Sequence, residues 1–217
     1  MRLIGTAVRA PFWTDRSYMS YSGGVARTKE FDPEVALDSA LQLFWQRGYE
    51  STSMADLVAH LGIARSSIYA EFGNKRELYF TALDRYLESR NPDPVELLSQ
   101  PGPALPAVRA LVEQYVHEVT NDELRRGCFV LNTAMELVSG DLVAARRVEA
   151  AWNVLETALA TALIRARAQG ELAAAADPRA LARFLLVVLQ GLKVVGKGAP
   201  DPDRIRDAAE HALRLLE

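Results

Sequence analysis

Residues 52–78 read T-S-M-A-D-L-V-A-H-L-G-I-A-R-S-S-I-Y-A-E-F-G-N-K-R-E-L, and this run decides how the rest of the chain is read. Met54, Leu57, Val58 and Leu61 recur at i, i+3, i+4, i+7, the spacing of one buried helix face. Gly62 breaks that period where a left-handed residue would close the helix. A second short helix is expected over residues 65–72. It has only Ile68 and Phe72 to bury, and leaves Arg65, Ser66, Ser67 and Tyr69 outward. A helix this short, led by Arg and polar on its free face, suits entry into a DNA major groove. The same pattern also fits a surface hairpin of helices in any all-α protein.

The tail of the run narrows the choice. Ile68-Tyr69-x-x-Phe72-x-x-Lys75-x-x-Leu78 resembles the recognition-helix signature of the TetR family of bacterial transcriptional regulators. Phe44, Gly48-Tyr49, Thr52, Asp56-Leu57 and Gly62-Ile63 stand at that family's spacings too. Ala64 departs from it, where Ser often caps the helix; the lost acceptor costs roughly 1 kcal/mol. Ser66 replaces a frequent Gly. The resemblance implies an all-α chain: an N-terminal three-helix helix-turn-helix module followed by a helical ligand-binding and dimerisation bundle. Arg65, Ser66 and Ser67 would approach base edges, and Thr52, Tyr69 and Lys75 would hold phosphates. Two such modules on a two-fold axis would read a near-palindromic operator in successive major grooves, roughly 34 Å apart.

Composition neither supplies nor forbids this. The chain has 217 residues, 49% hydrophobic and 8% aromatic, with a formal net charge of only -3. DNA affinity would therefore come from local placement. Arg65, Lys75 and Arg76 cluster at the second short helix, and Arg2, Arg9, Arg16, Arg27 and Lys29 load the N-terminal arm. The single cysteine, Cys128, excludes an intramolecular disulfide framework and a Cys-rich zinc site. His60, His117 and His211 lie far apart without ligand spacing, so no metal is expected. No apolar run approaches the ~20 residues that span a bilayer, and no signal-peptide core is present, which points to a cytoplasmic protein.

In chain order, residues 1–27 show no helical period and read as a flexible extension whose basic excess would track phosphates. Asp32-Pro33-Glu34 opens the first helix, with Val35, Ala36, Leu37, Ala40, Leu41 and Phe44 as its buried stripe and Gly48 as its end. The DNA-reading module is expected over 28–74 and a connecting helix over 75–91. Asn91-Pro92-Asp93-Pro94, with Pro101, Pro103 and Pro106 after it, breaks the chain before a regulatory and dimerisation domain over 92–217. Helices are expected there near 104–120, 128–138, 142–169, 178–196 and 202–216. The fourth of these candidates is apolar around most of its circumference and is paired with the fifth. Leu185, Val188 and Leu192, with Leu213, are the candidate dimer contacts, in the intermolecular four-helix bundle that the resemblance implies; a central helix of a monomeric bundle is the alternative.

The segment Arg126-Gly127-Cys128-Phe129-Val130-Leu131-Asn132-Thr133-Ala134-Met135-Glu136 resembles one common in the regulatory domains of a TetR subgroup. Cys128, Asn132 and Glu136 stand at i, i+4, i+8 with Met135 beside them, and Trp152 is a candidate wall residue on the next helix. Turned inward, they would put a few oriented polar groups in an apolar small-molecule pocket. The plainer reading is a buried thiol with Asn and Glu bracing helix ends. An alternative regulator would sense oxidants or electrophiles through Cys128, its thiol activated by Arg125, Arg126 and the helix start. No Ser/His/Asp set, phosphate loop, paired-carboxylate motif or cofactor motif supports an enzyme. The resemblance also implies that effector binding displaces the connecting helix and so alters the spacing of the two DNA-reading heads.

Overall fold

Helices in this chain repeatedly open on the dipeptide Asp-Pro. The Asp32, Asp93, Asp177 and Asp201 carboxylates each accept backbone N–H groups of the first turn that follows them. Proline at the first helical position forgoes a donor that has no intrahelical partner anyway. The computed structural model describes residues 31–90, 92–198 and 201–216, all helix, turn or loop with no strand among them. The basic arm expected over residues 1–27 lies outside the described residues.

The helices in order are α1 (Pro33–Arg47), α2 (Met54–Leu61), α3 (Arg65–Phe72), α4 (Lys75–Glu88), α5 (Pro94–Ser99), α6 (Ala104–Thr120), α7 (Phe129–Leu137), α8 (Leu142–Ala168), α9 (Pro178–Gly198) and α10 (Pro202–Arg214). The short α5 was not expected. Its proline-rich surroundings read as a break, yet Asp93 and Pro94 are the same start signal that opens α1. Val35, placed in the α1 stripe by its spacing, is exposed instead; Leu43 takes the buried position.

Two hydrophobic cores follow, and they do not divide the chain at the prolines. Phe44, Leu57, Ile68, Leu78, Tyr79 and Leu83 of α1–α4 form one core, and Phe129, Val130, Ala144 and Val148 of α7 and α8 complete it. Tyr79 is its hub, packing edge-on against the rings of Phe44, Tyr49 and Phe129, each 5.0 Å away. The second core joins α5, α6, the later part of α8, α9 and α10. Leu185, Leu192 and Leu213 are buried within this second core of the single chain. That corrects their expected place on an intermolecular surface, because they already fill the protomer. Val188 is partly buried against the same core. No helix of the described residues is long and apolar enough to cross a membrane.

Candidate functional site

The outward helix is α3. Ser53 caps α2 in a reciprocal capping box with Asp56, and Gly62 ends α2 in the left-handed region at φ 65°. α3 then starts at Arg65 with no side-chain cap at Ala64, as the sequence implied. Ile68, wholly buried, pins α3 to the core. Arg65 and Ser66 are exposed, Ser67 is half-buried, and Tyr69 is exposed. Arg65 Nη2 donates to Tyr69 Oη at 3.3 Å, and its guanidinium lies 5.6 Å from the Tyr69 ring. The pair forms one cationic, hydroxyl-bearing ridge along the free face.

Two expected phosphate contacts are placed otherwise. Thr52 is fully buried, and its hydroxyl donates to Gly48 O at 2.7 Å. Lys75 Nζ donates to Tyr49 O and Thr52 O, both at 2.9 Å, and sits 3.9 Å from the Tyr49 ring. Both side chains therefore brace the α1–α2 turn. The Thr52 hydroxyl and two of the three Lys75 ammonium donors are thus spent within the chain.

The proposed sensor residues do not converge. Cys128 precedes α7 as its N-cap residue, half-buried, with Tyr86 Oη 3.8 Å from its Sγ. Met135 is 78% exposed and lines nothing. Glu136 turns to the segment between α1 and α2, where Oε2 accepts the Tyr49 N–H at 2.7 Å and the Glu50 N–H at 3.3 Å. Trp152 packs against the first core, its indole N–H buried without an acceptor. None of the five lines the cavity described next, which Asn132 meets through Lys197 and Cys128 through Tyr86; Asn132 is the more firmly held. It is buried, its Nδ2 donates to Arg126 O at 3.0 Å, and its Oδ1 accepts from Lys197 Nζ at 2.6 Å.

That cavity, about 500 Å³, lies between Trp45 of α1, Tyr86 of α4, the segment 117–127, and Lys193 and Lys197 of α9. Lys193 is buried, ion-paired with Glu118, and 4.9 Å from the Tyr115 ring. Burial raises the Glu118 carboxyl, but the Lys193 charge and hydrogen bonds from Lys193 and Gln114 outweigh it, leaving the group below its ordinary value. Behind the wall, Arg90 Nη2 donates to Tyr115 Oη at 3.0 Å. Burial pushes the Tyr115 phenol up to about 12 against the opposing Arg90 charge. Lys193 and Lys197, four apart in the largely apolar second half of α9, were the signal available for this site.

The cavity also touches α1. Trp45 Nε1 donates to Gly127 O at 2.9 Å, Arg126 lies 4.1 Å over the Trp45 ring, and Arg126 Nη1 donates to Gln42 Oε1 at 2.7 Å. Farther along, Arg76 grips Asp141 through two hydrogen bonds, at 2.6 and 2.8 Å, and Arg147 pairs with Asp84. No group of three or more His, Cys, Asp or Glu among the described residues could hold a metal ion.

Comparison with known proteins gives a consistent result. Residues 36–82 match the family described as "Bacterial regulatory proteins, tetR family", and residues 104–212 match "Tetracyclin repressor-like, C-terminal domain". The uncharacterized HTH-type transcriptional regulator YezE of Bacillus subtilis (strain 168) is 37% identical over 89% of this chain and 100% of its own. The HTH-type transcriptional repressor ComR of Escherichia coli (strain K12) is 32% identical over 87% of this chain and 90% of its own. Among solved structures, a cysteine mutant of the TetR family regulator CifR, complexed with 26bp double-strand operator DNA, is similar. Its TM-score is 0.77, with 31% identity over 88% of this chain and 100% of that one.

Proposed function

The chain belongs to the TetR family of bacterial regulatory proteins, and from that premise we propose that it is a ligand-responsive repressor. In this reading it binds a near-palindromic operator as a homodimer and leaves it when a small molecule binds. The observation that carries the reading is α3 itself. Its inner face is held by wholly buried Ile68, while Arg65, Ser66 and Tyr69 stand exposed on its outer face. Arg65 would reach guanine acceptors, Ser66 and Ser67 would lie along base edges, and Tyr69 would donate to a phosphate. CifR, similar along most of its length, was solved with operator DNA. ComR is named as a repressor.

The dimer surface belongs to residues other than those that fill the protomer core. On α9, Phe184, Val187, Val194 and Val195 are exposed, and Gly191 has open space where a Cβ would stand. On α10, Ala208, His211 and Leu215 are exposed at i, i+3, i+7. Paired across a two-fold axis, these stripes would make the four-helix contact, the partly buried Val188 flanking it.

The test is an operator titration at one fixed salt concentration, with and without a molecule retained by the protein from cell extract. A coupling of ~1–3 kcal/mol predicts a roughly 5–150-fold loss of operator affinity, and the operator should weaken ligand binding by the same factor. Equal operator affinity in both arms contradicts the ligand-responsive reading.

A further inference from the structure

We propose that the cavity between Trp45, Tyr86, Arg126 and Lys197 binds a small organic carboxylate, and that the bound carboxylate loosens the DNA-reading helices. The first half needs only the cavity; the second rests on the regulator reading above.

The charge arrangement selects the ligand. Lys193 is matched by Glu118, Asp122 Oδ2 is committed to the Gly127 N–H at 2.7 Å, and Glu123, the third carboxylate of the lining, is exposed to solvent at the rim. Lys197 and Arg126 are held differently. Lys197 Nζ is met by the neutral amide oxygen of Asn132, and Arg126 Nη1 by the neutral amide oxygen of Gln42. Arg126 Nε is buried without an acceptor and comes only to 3.9 Å from Asp122 Oδ1. A carboxylate competes with an amide oxygen for such donors because it adds a full opposite charge to the hydrogen bond. Asn132 is no accident of packing either. Its own amide is fixed by Arg126 O, so the acceptor offered to Lys197 is oriented in advance.

The walls select the rest of the molecule. Trp45 and Tyr86 give the cavity aromatic faces, and about 500 Å³ suits a compact body carrying one acid group. Arg90 lies behind Tyr86 and acts on Glu118, adding a further positive charge to that side. A cationic ligand would be repelled by Lys197 and Arg126, and a neutral acceptor would offer them only the kind of oxygen that Asn132 and Gln42 already present.

Coupling follows from the second partner of each group. Arg126 that turns to a carboxylate leaves Gln42 on α1 and the Trp45 ring it covers. Gly127, whose carbonyl takes the Trp45 N–H, is the next residue. Ligand and α1 thus compete for one short segment, and a ligand shifts a conformation only through such differential contacts.

Calorimetry with the full chain would use benzoate, phenylacetate and 3-phenylpropionate as probes, each against its neutral amide. Operator affinity would be read by anisotropy under the same conditions. The expected result is an acid-over-amide preference of about tenfold or more, lost in Lys197→Gln and kept in Lys197→Arg, with the preferred acid lowering operator affinity. Acids and amides binding alike, or no acid binding in the millimolar range, overturns the proposal. So does acid binding that leaves operator affinity unchanged. A protein that binds no operator even without probe faults the regulator reading instead, while the calorimetry still decides the ligand class.

Discussion

Glu136 of α7 clamps the turn after α1: its Oε2 takes the Tyr49 N–H at 2.7 Å, and its Oε1 lies only 2.3 Å from where a Cβ on Gly48 would stand. Gly48 also has φ 85°, a conformation that side-chain-bearing residues rarely adopt. α7 therefore reaches the α1–α2 segment through backbone, beside a glycine whose φ strains any side-chain-bearing residue. Glu136→Ala should cost about 1–3 kcal/mol of stability, since it leaves the Tyr49 N–H without its acceptor. Gly48→Ala should cost more, because strain of about 1–3 kcal/mol adds to the clash. Urea unfolding midpoints decide it; an unchanged midpoint in both variants contradicts the clamp.

Arg65→Ala and Tyr69→Phe should damage DNA binding in different ways. Loss of a bidentate base contact costs ~1–3 kcal/mol and relaxes preference at one position per half-site. Loss of the Tyr69 hydroxyl should weaken all sequences about equally, and it also removes the partner that steadies Arg65. Competition with single-position operator variants separates the two. Lys75→Ala and Thr52→Ala should instead lower thermal stability, since their donors brace the α1–α2 turn.

On the α9 surface, Val187→Glu should split the proposed dimer and leave the helical spectrum intact. Val187 is 70% exposed in the single chain, whereas Leu185, two residues away, is wholly buried. Leu185→Glu should therefore unfold the protomer, at a cost of several kcal/mol for an unpaired buried charge. Sedimentation velocity and circular dichroism read both outcomes. A Val187→Glu dimer as tight as wild type rules out this face.

The Arg76–Asp141 pair gives a pH dependence of definite sign. The Arg76 hydrogen bonds, helped by the backbone N–H groups of Ala144 and Val143, hold the Asp141 carboxyl well below the usual carboxylate range. Its contribution is present above the unfolded value of about 3.9 and fades as pH falls through the lowered folded value. The stability difference between wild type and Asp141→Asn should thus stay flat from neutral pH to about 5 and shrink only in stronger acid. A difference that vanishes between pH 7 and 5 contradicts the assignment.

Much of this architecture was readable because its signals are local. Asp32-Pro33, Ser53 with Asp56, and Gly62 mark helix ends through chemistry within a few residues, and all three appear where that chemistry predicts. The exposed face of α3 was legible for the same reason, having only Ile68 and Phe72 to bury. Thr52 and Lys75 were not, because a sequence displays a donor without saying whether Gly48 O or Tyr49 O already occupies it. On α9, apolar residues surround most of the helix, so spacing could not say which side faces the protomer core and which faces outward. Cys128, Asn132 and Glu136 share a face only on an unbroken helix. α7 begins at Phe129, which leaves Cys128 outside it, and Glu136 leads to the α1 turn while Asn132 leads to Lys197.

The central claim is that α3 reads an operator as part of a two-fold pair. The direct measurement is selection of bound duplexes from a randomised pool by wild type and by Arg65→Ala, at one salt concentration. The account predicts an inverted repeat with half-site centres about 34 Å apart, and lost preference at one symmetric pair of positions in Arg65→Ala. Selection of a single unrepeated site, of no sequence at all, or of the same repeat undiminished by Arg65→Ala would contradict it.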